Sequence, residues 1–297
     1  AAHRAPAAGD DETGGVRETG ISLTKPPNCP ESRDHLKCIY CGTTDAPLTD
    51  EHVLAANLGC SRVLEKASCG VCQKIINEEI EMPCLRLMFR DMRYRQNIGS
   101  RRVKDRPKTL PLYSINTTDA PKPNSHERLD LSKWTLKDVT YDQHMTLLVM
   151  PIITQAGYLL YYTPDQALSK VGIHFWFIVK NPESEFAADK SFATETKFHA
   201  EIFARLLAKT AHCSLVAQYG LDSFKPYLLD IILGKDISKI WWYIGGSPLI
   251  PTKTNQPYEI SNAMIEDGYH AADLICDVQI FADLGAPGYR IVVGKKF

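Results

Sequence analysis

The sequence has little of what would mark a membrane protein or a nucleic-acid coat. It has no charge-free apolar run long enough to cross a bilayer; the nearest, Thr146 to Tyr162, is broken by Pro151, Gln155 and Gly157. It has no excess of either charge: 34 Lys and Arg stand against 35 Asp and Glu, for a net charge of −1. That balance excludes a globally basic coat and a highly charged disordered chain. Its N-terminal stretch lacks the apolar core of a signal peptide. It also lacks an even set of cysteines. There are nine, seven of them between residues 29 and 84, which is a poor disulfide framework and a good distribution for a metal site. Thiols that hold metal must stay reduced, so the expectation is a soluble, cytoplasmic protein with no membrane partner.

What is present divides unevenly along the 297 residues, of which 44% are apolar. Residues 1–33 are rich in Ala, Gly, Pro and charge and read as a disordered tail. Residues 34–106 form a cysteine-bearing and then basic unit. Residues 107–137 carry Pro107, Pro111, Pro121 and Pro123 and read as a Pro-rich linker. Residues 138–297 read as an α+β accessory domain, because hairpins and helices mix there without βαβ alternation. In that domain Met145–Tyr162 predicts a hairpin turning at Gln155-Ala156-Gly157. Gly172–Lys180 predicts a strand with Ile173, Phe175, Phe177 and Val179 on one face. Thr196–Tyr219 predicts a helix stopped by Gly220, and Pro226–Leu233 a shorter helix ending at Gly234. Lys239–Ile244 predicts a strand closed by a Gly245-Gly246 turn. Leu274–Phe281 and Tyr289–Val293 predict a closing hairpin.

The chemistry concentrates in the cysteine unit. Cys38-Ile-Tyr-Cys41 and Cys69-Gly-Val-Cys72 are two C-x2-C pairs with 27 residues between them. Each pair can form a knuckle of two thiolates, and two knuckles complete a tetrahedral structural zinc site. A usual zinc ribbon has a gap nearer 15–20 residues. The longer gap leaves room for an inserted element, which reads Leu48-Thr49-Asp50-Glu51-His52-Val53-Leu54. A histidine beside a carboxylate suits metal-assisted phosphodiester hydrolysis: one takes a proton from water, the other holds a divalent cation.

Together, the Cys38/Cys41 pair, Glu51-His52-Val53-Leu54, Leu58-Gly59 and Ala67-Ser68-Cys69 with Cys72 resemble the HNH endonuclease family, in its zinc-containing ββα-metal branch. The resemblance implies an N-terminal zinc-stapled ββα-metal domain followed by a mixed α+β domain. It implies a metal-dependent endonuclease, a hydrolase of nucleic-acid phosphodiester bonds acting on double-stranded DNA, with structural Zn²⁺ and catalytic Mg²⁺ or Mn²⁺. His52 maps to the general base and Glu51 to a ligand of the catalytic cation. The family usually has His or Asn directly after the last zinc cysteine, and this chain has Gln73. If Cys69 to Glu81 is a helix, Gln73, Asn77 and Glu81 share one face and each offers an oxygen ligand.

Downstream, Arg86, Arg90, Arg93, Arg95, Arg101, Arg102, Lys104, Arg106 and Lys108 fall within 23 residues, opposed only by Asp91 and Asp105. Such local positive density predicts phosphate contact, with little sequence preference. The alternative reading is a catalytically inactive zinc-binding module for nucleic acid or protein. The later domain is then a place for substrate recognition, a protein partner or self-association.

Overall fold

The computed structural model describes residues 23–24, 36–98, 108–120, 130–140, 143–180, 190–194, 197–249, 251 and 253–297. The chain is mixed α+β, 33% helix and 32% strand, in agreement with the class read from the sequence. The expected disordered tail, apart from β1 (Leu23–Thr24), lies outside the described residues, as do Arg101, Arg102, Lys104 and Arg106.

The cysteine unit is built first. β2 (Leu48–His52) pairs antiparallel with β3 (Val63–Cys69), and α1 (Gly70–Ile75) follows without a loop. From Ile76 to Glu81 the helix widens into a π turn, and a second π turn spans Cys84–Met88 before α2 (Arg90–Arg95). The expected linker is not structureless: β4 (Leu110–Asn116) and β5 (Thr135–Val139) pair there, and β8 (Lys190–Ala193) adds on the other side of β4. The apolar residues of the Leu-Pro-Leu-Tyr run make that strand possible. Pro111, which has no N–H to give, lies beyond the register of β8, so only β5 flanks it.

The remainder is organised around α4 (Ala200–Tyr219). Every residue from Phe203 to Val216 is buried, so α4 is a central helix, surrounded on all sides. Gly220 stops it at φ 86°, as the sequence indicated. One side of α4 lies on a sheet of β11 (Tyr258–Ile265), β12 (Asp273–Ile280) and β13 (Gly288–Lys296). β12 and β13 are the closing hairpin, as expected. β1 extends this sheet beyond β11, while β10 (Ile244–Gly246) and β9 (Phe224–Pro226) both pair with β13. The other side of α4 meets the two π turns of the cysteine unit. The buried apolar core runs without a break from Cys38 to Val293.

The later region corrects the hairpin expected at 145–162, the strand expected at 239–244 and the length of the helix expected at 226–233. β6 (Thr146–Ile153) has no strand partner in 158–162; it pairs with β7 (Ile173–Lys180) across α3 (Pro164–Lys170), which starts at a capping box of Thr163 and Gln166. β7 is the strand expected, with Phe175, Phe177 and Val179 on one face; the opposite face, turned to the core, holds Trp176 and Ile178, paired with buried Met150 and Leu148. Phe175, Phe177 and Val179 are the exposed face. Both faces are apolar in sequence, so alternation could not say which one is covered. Finally, Ile240–Tyr243 is a helical turn, α6, and only Ile244–Gly246 is strand. Gly245 and Gly246 form no turn. A Cβ at Gly245 would collide with the backbone of Thr154 and Ala156, and one at Gly246 with Ile153 O. Their bare backbone lets β10 lie against the end of β6. The short helix is α5 (Leu229–Ile232), half the expected length, and Gly234 sits beyond it at φ 69°.

Candidate metal centre and adjoining cleft

Each cysteine pair spans a tight backbone turn. Gly42 N donates to Cys38 O, and Gly42 takes φ 74°, which closes the first knuckle. Ile39 N donates to Ala67 O and ties that knuckle to β3. Cys69 ends β3 and Cys72 lies in the first turn of α1, so the strand-to-helix junction forms the second knuckle. The sulfurs of Cys38, Cys41, Cys69 and Cys72 all lie within 4.8 Å of one another, close enough to hold one metal ion. Cys41 is exposed and the other three are buried. Among the described residues no other group of three or more Cys, His, Asp or Glu converges so closely. Cys60 and Cys84, both buried, stand apart from the group.

Beside this centre opens a cleft of about 700 Å³. Thr49 to His52 of β2 form one wall; Gly70, Gln73, Lys74, Asn77 and Glu81 of the following helix form the other. The three helix residues expected to share a face therefore do face one space. Gln73 Nε2 donates to Asp50 O at 3.4 Å, which leaves its carbonyl oxygen outside that bond. A bulge between Thr49 and Glu51 breaks the register of β2 with β3, and Asp50 Oδ1 accepts from Lys66 N there. Past the bulge, Glu51 is buried at 5% exposure while His52 is half-buried; strand alternation separates them and the cleft takes in both.

Sequence reasoning missed the residue that organises this wall. Lys209 of α4 is fully buried, and its Nζ lies 2.8 Å from Glu51 Oε1 and 3.1 Å from Glu81 Oε1. It also donates to the backbone carbonyl of His52. Three N–H bonds meet three acceptors. Burial by itself would lower the lysine's pKa; the carboxylates of Glu81 and Glu51 outweigh it, and the net shift is upward, so the ammonium stays charged. Glu51 Oε2 is buried with no hydrogen-bond partner. The only signal in the sequence was a lysine in the middle of Phe203-Ala-Arg-Leu-Leu-Ala-Lys-Thr-Ala, too apolar a stretch for a solvated charge.

The basic stretch separates on folding. Arg93 is a correction: it is buried, donating from Nε to Asn57 O at 2.6 Å and from Nη1 to Leu85 O at 2.9 Å, so it ties the cysteine unit together and is not available to phosphate. Arg95 donates to His144 O at 2.8 Å, and Arg90 pairs with Asp91 at 2.6 Å. Arg86 is exposed. Sequence reasoning also overlooked Lys74, which is exposed on the cleft wall itself.

No family model, curated protein or solved structure matches this chain. Among the described residues no helix is long and apolar enough to cross a membrane. The functional reading rests on the cleft and the cysteine group.

Proposed function

We propose that the chain is a zinc-stapled, metal-dependent endonuclease of the HNH type, hydrolysing phosphodiester bonds in DNA. The four-cysteine group suits Zn²⁺, a borderline-soft ion that thiolates hold tetrahedrally in structural sites. The observation that carries the nuclease reading is Glu51: a buried carboxylate with one oxygen lacking any partner, on a residue that lines the same cleft as His52. A buried carboxylate oxygen left without a partner is costly, and Lys209 meets only the other oxygen of Glu51. Glu51 Oε2, with an oxygen from Gln73 or Asn77, fits a hard divalent cation such as Mg²⁺ or Mn²⁺. When bound, that cation stabilises charge on the scissile phosphate and the leaving oxygen. His52 removes the proton from the attacking water. Lys74 and Arg86 hold the nucleic-acid backbone by charge.

A second reading, a zinc-binding module without catalysis, is favoured by Lys209, which already neutralises part of the charge on Glu51. A plasmid-nicking assay across a Mg²⁺ and Mn²⁺ series separates the two. The nuclease reading expects cleavage that EDTA abolishes before the zinc is lost, and a fall of about 10²–10⁴-fold in His52→Ala with zinc content unchanged. DNA binding without metal-dependent cleavage would leave the non-catalytic module in its place.

A further inference from the structure

The group formed by buried Glu51 and Lys209 with half-buried Glu81 holds two carboxylates and one ammonium, one negative charge in excess, and it joins β2, the π turn at Glu81 and α4. Lys209 lies 157 residues from His52 in sequence and donates to its carbonyl, so the strand end that presents His52 is held by a helix from beyond the cysteine unit. Its Nζ takes Oε1 of both glutamates and leaves Oε2 of Glu51, a residue that lines the cleft, buried and without a partner.

Resting on the metal-dependent reading above, we propose that Lys209 is a positioning residue and a resident counter-ion: it aims Glu51 and His52 at the cleft and holds the cleft to one net negative buried charge, so that the divalent cation binds weakly and keeps positive charge for the phosphate. A bare pair of glutamates would bind the cation more tightly, neutralise it fully and leave nothing to attract a polyanion. With Lys209 in place, a divalent cation turns the group from one negative charge to one positive. The group is thus repelled by phosphate when empty and attractive to it when loaded.

This makes an unusual demand on metal affinity, because a purely structural lysine would lose affinity on removal as the site collapsed. The three variants Lys209→Met, Glu81→Gln and the double variant carrying both change the buried charge to two negative, to neutral and back to one negative. Mn²⁺ binding to each full-length, zinc-loaded protein is read by electron paramagnetic resonance of the free ion at pH 8, without nucleic acid. A unit charge a few ångströms from a divalent ion is worth at least about tenfold in affinity at an effective dielectric near 20. Lys209→Met should therefore bind Mn²⁺ at least about tenfold tighter than the parent, Glu81→Gln at least about tenfold weaker, and the double variant near the parent value. The double variant should still cut more slowly, through kcat and not KM, because Glu51 and His52 are no longer held. If Lys209→Met fails to fold, by zinc content and thermal melting, the step from Glu81→Gln to the double variant carries the same test: it must tighten Mn²⁺. Weaker or unchanged affinity at that step overturns the proposal, as does a parent that binds no Mn²⁺. A parent that binds Mn²⁺ with this ordering yet never cleaves nucleic acid sinks the nuclease reading and leaves the counter-ion role standing.

Discussion

Toward the six-stranded sheet, α4 meets rings and aliphatic chains: Phe203 stands edge-on to Tyr289 of β13 with ring centroids 5.1 Å apart, and the main polar contact is Asn262 of β11 reaching Ser214 and Gln218. Toward the cysteine unit, the same helix sends out Arg205, Lys209, His212 and Cys213. Arg205 reaches Glu79 and Ile232 O; Lys209 reaches Glu51, Glu81 and His52 O; His212 Nε2 meets Ile39 O at 2.9 Å; Cys213 Sγ lies 3.1 Å from Tyr40 Oη. Ile39 and Tyr40 are the residues inside the first cysteine knuckle. One turn and a half of α4 therefore grips both the four-cysteine group and the cleft. The sheet side needs only apolar volume, which many sequences supply. The cysteine side needs each donor matched to its acceptor, because an unpaired buried polar group or charge costs far more than a lost contact.

The largest effect should come from the metal. Four thiolates binding zinc contribute on the order of 10 kcal/mol, comparable to the whole stability of a typical domain. Because Ile39 and Tyr40 are anchored on α4, Cys72→Ser or exhaustive chelation should collapse both sides of the helix together, in one calorimetric transition far below the parent's. Two transitions, with the upper one at the parent temperature, would show that the sides of α4 are energetically separate.

Phe203→Ala empties a fully buried ring site that meets Tyr289 of the sheet, with Phe198 beside it and Phe89 of the cysteine unit across it. It should cost about 3–5 kcal/mol by urea unfolding while leaving zinc stoichiometry at one. A smaller loss would mean that this site repacks more freely than its ring contacts suggest.

His212 sharpens the comparison through pH. Burial pushes its pKa down to about 4, against an ordinary value near 6.5, and the hydrogen bond to Ile39 O only partly opposes that. The folded chain holds it neutral, so between those values the unfolded chain binds the extra proton. Its contribution is complete above pH 6.5 and is lost as pH falls toward 4, about 3 kcal/mol in all. Burial also lowers the pKa of His144 and His270, which adds in the same direction. Thermal melting from pH 7 to 5 should show the fall, and His212→Gln should flatten it. An equal slope in that variant would assign the acid sensitivity elsewhere.

The smallest effect on stability belongs to the exposed charges. Arg86→Ala and Lys74→Ala should each change stability by less than about 0.5 kcal/mol. If they touch phosphate, each should weaken DNA binding about equally across sequences and reduce the logarithmic salt slope by roughly 0.9. Arg93→Ala is the contrast: it should destabilise the fold by about 1–3 kcal/mol, since it leaves Leu85 O and Asn57 O without their donor.

Local spacing was enough to read the two cysteine knuckles, the Glu51-His52 strand end, the extent of α4 to Gly220 and the β12–β13 hairpin. Each depends on residues near one another in the chain, where turn chemistry, helical period and glycine stops act directly. Short apolar runs are ambiguous where the choice lies between helix and strand, as at Ile240–Tyr243, which is a helical turn, and alternation in β7 gives the strand but not which of its two apolar faces is covered. Those are decided by what packs against them: Leu148 and Met150 for β7, and the backbone of residues 153–156 for β10. The charges were the least legible. A cluster of arginines in sequence says nothing of which one turns inward, and Arg93 is held by carbonyls 8 and 36 residues away. Lys209 could not be placed beside Glu51 from sequence, because an ion pair across the core is set by long-range packing; its apolar neighbours in the chain point to burial but not to what it meets. The sequence by itself determined which chemistry the chain carries. Only the tertiary structure decided which of its charges are locked inside and which face the cleft, because burial is a property of the packed whole.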